Sequence, residues 1–211
     1  MDLLLIRHGE NDYTRSGKLA GLRPGVHLNE TGQTQAQALA KRLAPAPIKA
    51  IYTSPLERAQ ETARPLAEAK KLPLRLCEAL QEINVGEWAG RSLKSVARTN
   101  LWRDVQHEPS RTQFPGGETF LAAQARAVQA LEQIARDHPK DLVAAVTHAD
   151  IIKLVVAYYL GLPLDLFQRL VVGTASITVL HLGQGQPALV KLNDTGEPQV
   201  LGERSKAHRR R

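Results

Sequence analysis

The chain has 211 residues, 43% hydrophobic and 23% charged, an ordinary balance for a globular protein that buries one core. No apolar run approaches the ~20 residues of a membrane helix, and the single cysteine, Cys77, can close no internal disulfide; this argues against a membrane role and for the cytoplasm. The net charge is +7, but five positive charges and one negative fall within residues 203–211, so the excess belongs to a solvated basic tail and no nucleic-acid partner is expected.

Leu3 to Ile6 is a short apolar run that reads as a strand buried on both faces, and Arg7-His8-Gly9 follows it directly. It starts so close to Met1 that no secretory leader is expected. Residues 11–30 have no periodicity and hold Gly17, Gly21, Pro24 and Gly25, so a functional loop is predicted there, with Arg15, Lys18 and Arg23 suited to an anion. Thr31 is read as the cap of a helix that Pro45 and Pro47 end. Lys49 to Thr53 is the second strand. Ser54-Pro55 then opens a helix that runs to about Lys71, with Pro65 a potential kink. Leu74 to Cys77 is a third strand, with Cys77 as packing filler.

Residues 78–117 are rich in Gly, Pro and Trp and read as a lid-like insertion with one helical piece, about Ser92 to Val105. Trp88, Trp102 and Phe114 are its candidate substrate-selecting side chains. A long amphipathic helix starts at Glu118 and ends near Asp137. Leu142 to Thr147 is the most apolar strand; His148 closes it, and a helix from Asp150 to Leu160 follows. Ala175 to Leu182 and Ala188 to Asn193 form a hairpin through Gly183-Gln184-Gly185-Gln186. An edge strand from that hairpin could pair between chains as a homodimer. Strands alternating with helices predict an α/β fold with a mostly parallel sheet, one domain over residues 1–202 and a tail over 203–211.

Four stretches fall where an open α/β sheet builds its crevice, at the carboxyl ends of strands. They are Arg7-His8-Gly9, Ser54-Pro55-Leu56-Glu57-Arg58, Glu82-Ile83-Asn84-Val85-Gly86 and Thr147-His148-Ala149. In this order they resemble the histidine phosphatase superfamily, also called phosphoglycerate mutase-like, over essentially the whole chain. The resemblance implies a three-layer α/β/α sandwich, His8 as nucleophile, Arg7 and Arg58 as phosphate ligands, Glu82 as proton donor and His148 as the second histidine. The implied activity is a phosphomonoesterase for small phosphorylated metabolites, working through a phosphohistidine without metal or cofactor.

The chemistry of these residue types agrees. Uncatalysed hydrolysis of phosphate monoesters is so slow that enzymes supply up to ~10²¹ in rate. Guanidinium groups grip phosphoryl oxygens bidentately. Two arginines beside His8 keep its imidazole neutral and nucleophilic. Glu82 protonates the leaving alkoxide, then takes a proton from water. His148 is expected to be cationic and to stabilise charge on the equatorial oxygens.

The family often has asparagine six residues after the nucleophile; here Thr14 stands there, with Asn11 nearby, and both are taken as anion contacts together with Gly21. Ala149 replaces a frequent glycine after the second histidine, and its backbone N–H is the expected contact. A mutase also needs a lysine seven residues past Gly86, where Leu93 stands beside Lys94, and an arginine pair, where only single Arg98, Arg103 and Arg111 occur. Phosphatase is therefore preferred, with a phosphomutase and a non-catalytic phosphate-binding protein as alternatives.

Overall fold

The computed structural model describes residues 1–183 and 185–196; the basic tail lies outside the described residues. Its strands are β1 (Asp2–Arg7), β2 (Ile48–Thr53), β3 (Leu74–Leu76), β4 (Leu142–Thr147), β5 (Ile177–His181) and β6 (Ala188–Asp194). Its helices are α1 (Asp12–Ser16), α2 (Glu30–Leu43), α3 (Glu57–Lys70), α4 (Leu93–Val96), α5 (Asn100–His107), α6 (Phe120–Asp137) and α7 (Ala149–Tyr159).

The strands form one sheet in the order β3-β2-β4-β1-β5-β6. Strands β1 and β4 lie at its centre because both their faces are apolar. Leu3, Leu5, Val143 and Ala145 enter one core, while Leu4, Ile6, Ala144 and Val146 enter the other. Helices α2 and α3 cover the second core with Leu39, Leu43, Ala63 and Leu66; α6 and α7 cover the first with Ala127, Leu131, Ile151 and Val155. Each fully buried leucine or isoleucine in these layers contributes about 1.5–3 kcal/mol. The result is the expected α/β/α sandwich, with His8 and His148 at the same edge of the two central strands.

The sheet is mixed, however. Strands β1 to β4 run parallel, but β5 lies antiparallel to both β1 and β6. Strand β5 is interior, so among the described residues β6 is the edge strand of the C-terminal hairpin. Several boundaries also move. The loop over 11–30 contains α1, and the cap of α2 lies two residues before the expected one, because Asn29 rather than Thr31 accepts the Gly32 N–H (2.9 Å). Pro65 sits inside α3, which continues past it to Lys70. The single helix expected at 92–105 is two, α4 and α5. Cys77 falls just past β3 and packs, half-buried, against the core.

The insertion is less of a lid than expected. Trp88 and Phe114 are buried and join a chain of rings, Trp88–Phe114–Phe120–Phe167, with centroids 5.4, 5.2 and 5.1 Å apart. They anchor the segment to α6 and are not free to choose a substrate; Trp102 packs on Trp88 at 6.2 Å. Among the described residues no helix is long and apolar enough to cross a membrane.

Candidate active site

The register of the central strands delivers His8. Its backbone N–H continues the β1–β4 pairing one step past the strand, to the Thr147 carbonyl (2.9 Å). Gly9 then passes so close to α2 that a Cβ would lie 2.7 Å from the Gly32 carbonyl oxygen, and its N–H is held by Thr62 Oγ1 at 2.9 Å. The buried His8 ring places Nδ1 2.7 Å from the Gly9 carbonyl oxygen. A carbonyl can only accept, so Nδ1 bears the proton and Nε2 keeps its lone pair. Burial, then the charges of Arg7 and Arg58, hold the His8 pKa well below the usual histidine value. The imidazole is neutral, with a free nitrogen.

Arg58 lies in the first turn of α3 and is 1% exposed. Its Nη2 donates to the Gly21 carbonyl (2.9 Å), whereas Nη1 is buried without a partner. Arg7, at the end of β1, donates through Nη1 to the Val172 carbonyl (2.7 Å) and leaves Nε buried and unpartnered. Burial lowers both arginine pKa values, and the nearby Glu82 carboxylate opposes that effect in each case.

Glu82 lies on the segment between the short turns at 78–80 and 86–88. Its Oε1 accepts the Ile83 N–H (3.0 Å) and its Oε2 is 3.9 Å from His148 Nδ1. Burial, and next the charge of Asp150, push its pKa up to about 7, against the Ile83 N–H, Arg58 and Arg7. Near neutral pH this carboxyl can therefore carry a proton and release it. Its backbone is held from α6. Arg126 donates through Nη1 to the carbonyls of Ala79 (2.7 Å) and Gln81 (2.9 Å), and through Nη2 to that of Glu82 (3.0 Å). Nε and Nη2 also grip Glu118 at 3.1 and 2.8 Å. Glu118 in turn accepts the Asn84 N–H at 2.8 Å. Gly86 closes the same turn in a left-handed conformation (φ 51°), where a Cβ would lie 2.0 Å from the Pro115 carbonyl oxygen. Only glycine lets the two limbs of the segment meet.

His148 is fully buried at the N-terminus of α7. Its ring centroid is 5.2 Å from that of His8, at 60°. Its Nε2 meets Ser54 Oγ at 2.8 Å, and its Nδ1 has no partner. The expectation of a cationic His148 does not hold for the protein's own groups: burial, then Arg58, His8, Arg7 and Arg126, drive its pKa well below the usual value. It is a neutral ring with hydrogen-bonding atoms on both sides.

The remaining expected contacts are placed differently. The Thr14 hydroxyl is committed to a capping box at α1, accepting the Asn11 N–H (3.0 Å) and donating to Asn11 oxygens. Asn11 is buried, and its Oδ1 accepts the Thr14 N–H (2.9 Å). Both side chains thus serve the helix start, which needs its orphan donors satisfied. Gly21 orients Arg58 through its carbonyl. Ala149 is the first residue of α7, where a backbone N–H has no helical partner. Outside the site, His27 pairs with Glu61, His138 with Asp141 and Tyr52, and His181 with Asp2, while His208 lies outside the described residues.

Sequence reading missed Ser54 as a partner of His148, the Arg126–Glu118 clamp, and Asp150. Ser54 looked like a helix cap, and the α3 cap position is in fact Leu56. The clamp ties Arg126 to carbonyls 44 to 47 positions before it, beyond any local pattern.

Among the described residues, four buried side-chain polar atoms lack a partner: Arg7 Nε, Arg58 Nη1, His148 Nδ1 and the Tyr159 hydroxyl. Buried donors are rarely left unpaired. Three of these four belong to the group around His8, and their common complement is an anion with several acceptor oxygens.

Comparison with known proteins points the same way. The family model of the histidine phosphatase superfamily (branch 1) matches residues 3–195. Phosphoserine phosphatase 1 of Hydrogenobacter thermophilus is 31% identical over 92% of this chain and 92% of its own. The metal-independent phosphoserine phosphatase of Arabidopsis thaliana is 33% identical over 86% of this chain and 76% of its own. Among solved structures, a mutant phosphoserine phosphatase from Entamoeba histolytica in complex with phosphoserine superposes with a TM-score of 0.84 at 25% identity, covering 92% and 97% of the two chains. With its fold, its motifs in order and a match that leaves out only the chain's ends, this protein belongs to the histidine phosphatase superfamily, branch 1.

Proposed function

We propose that the protein is a phosphomonoesterase that transfers the phosphoryl group of a small metabolite to His8 and then to water, with no metal ion. The observation that carries this reading is the trio of unpartnered buried donors, on Arg7, Arg58 and His148, around a histidine whose Nε2 is free. The arginines and His148 hold the non-bridging oxygens. The Nε2 lone pair of His8 attacks phosphorus in line, and the P–O ester bond breaks as the leaving oxygen takes the proton of Glu82. Water then attacks the phosphoimidazole; the P–N bond breaks, Glu82 accepts a proton from the water, and inorganic phosphate leaves. Splitting one difficult displacement into two is the gain of a covalent route, and the proton transfer contributes about 10²–10⁴.

Phosphatase is preferred to phosphomutase because Leu93 occupies the position where a mutase needs lysine, and no arginine pair follows. Phosphoserine, the compound in the names of the relatives, is the first substrate to assay. Phosphate release from phosphoserine in excess EDTA is expected for the wild type, with acid-labile phosphate trapped on the protein. In His8→Ala both disappear. Tight phosphate binding without turnover would instead establish a binding protein, and complete loss with EDTA would overturn the metal-free mechanism.

A further inference from the structure

Ser54 is fully buried at the end of β2, and its hydroxyl has two neighbours among the described residues: the Leu56 N–H, which donates to Oγ at 3.3 Å, and His148 Nε2 at 2.8 Å. The hydroxyl oxygen can accept from Leu56, but its hydrogen needs an acceptor, because a buried donor left unmade is costly. The backbone N–H cannot serve. Nε2 is the acceptor at hand; when the hydroxyl donates to it the ring proton sits on Nδ1, beside a carboxylate and open to an incoming anion as its acceptor. Nδ1 is the unpartnered buried atom 3.9 Å from Glu82 Oε2.

We propose that Ser54 is a positioning residue that holds His148 in its Nδ1–H tautomer, so that this N–H is aimed at the transferring phosphoryl group. The inference rests on the phosphatase reading for its consequence, though not for the tautomer itself. His8 and His148 then form a complementary pair. Gly9 keeps the His8 proton on Nδ1 and leaves Nε2 as the nucleophile; Ser54 keeps the His148 proton on Nδ1 and makes that ring a donor. Without Ser54 the ring could place its proton on Nε2. A lone pair would then face phosphoryl oxygens and repel them. The charged and titratable groups acting on His148 are Arg7, His8, Arg58, Glu82 and Arg126; of these Glu82, with Oε2 3.9 Å from Nδ1, also favours a proton on Nδ1 when ionised, while Ser54 makes the one hydrogen bond to the ring among the described residues.

The test is two-bond ¹H–¹⁵N correlation spectroscopy on the full chain labelled with ¹⁵N-histidine, His148 being assigned by its loss in His148→Asn. The expected wild-type pattern at neutral pH is Nδ1–H. In Ser54→Ala the pattern shifts toward Nε2–H or a mixture, and kcat on phosphoserine falls at least about tenfold, as when a histidine loses the partner that fixes its tautomer. A wild-type Nε2–H pattern overturns the proposal without any variant. So does Ser54→Ala retaining both the Nδ1–H pattern and the wild-type kcat. If the wild type shows the expected tautomer but forms no phosphohistidine, the phosphatase reading fails while the role of Ser54 in fixing the ring stands.

Discussion

Arg58 and Arg126 are both guanidinium groups withdrawn from solvent, and they are wired in opposite ways. All five N–H donors of Arg126 are used, on three carbonyls and both oxygens of Glu118. Among the described residues Arg58 has one partner, the Gly21 carbonyl, and a buried nitrogen with none. A satisfied arginine stiffens the scaffold; an unsatisfied one is destabilising until a ligand arrives. On the proposed function, the wiring, more than the burial, separates an arginine that binds from an arginine that builds. Arg7 belongs with Arg58, having an unpartnered Nε of its own.

The contrast can be broken most decisively at Arg58. Arg58→Met removes charge-assisted bonds to the phosphoryl group and is expected to lower kcat/KM by at least about 10³. Its unfolding free energy should change by less than about 1 kcal/mol, because an incompletely paired buried charge leaves with it. Steady-state kinetics and urea unfolding together check this; a large loss of stability with activity retained would reverse the assignment. Arg126→Met should behave the other way, losing about 3 kcal/mol as Glu118 and three carbonyls are stranded. In the folded fraction, turnover of an alkyl phosphate should fall much more than that of p-nitrophenyl phosphate. The displaced Glu82 matters most for a leaving group that needs its proton. Equal losses on both substrates would mean that the clamp does not act through Glu82.

The next prediction concerns the proton itself. Glu82 must be protonated to act as acid and its pKa is raised to about 7, so kcat/KM for phosphoserine should fall as pH rises through about 7, by about tenfold per unit. Below that point the profile should stay level well past the ordinary histidine range, since His8 resists protonation. A pH–rate profile rising through neutrality would refute the assignment. The smallest effect is expected from Asp150→Asn. Its negative charge is the second cause of the raised Glu82 pKa, so removing it should move the upper limb to lower pH. An unmoved limb would leave burial as the whole explanation.

Much of this was legible in the chain alone, for local reasons. Four apolar residues before Arg7-His8-Gly9 can only be a covered strand ending in a charged corner, and Ser-Pro-Leu-Glu-Arg marks the start of a helix that carries Arg58. Those patterns depend on neighbours in sequence, as do the α/β alternation and the positions of Glu82 and His148. The antiparallel turn of β5 was hidden because a hairpin signal does not say which strand it joins. The part Thr14 and Asn11 play at the start of α1 was hidden because a polar side chain near a nucleophile looks the same whether it faces a ligand or caps a helix.

What the sequence by itself determined is which side chains are gathered at one end of the sheet. What only the tertiary structure decided is their state: which nitrogen of each histidine holds the proton, that His148 is neutral rather than cationic, that Glu82 can be protonated near pH 7, and which arginine is left with a free donor. Protonation and hydrogen-bond direction depend on burial and on partners as far as 165 residues away along the chain, and those exist only once the sheet has closed.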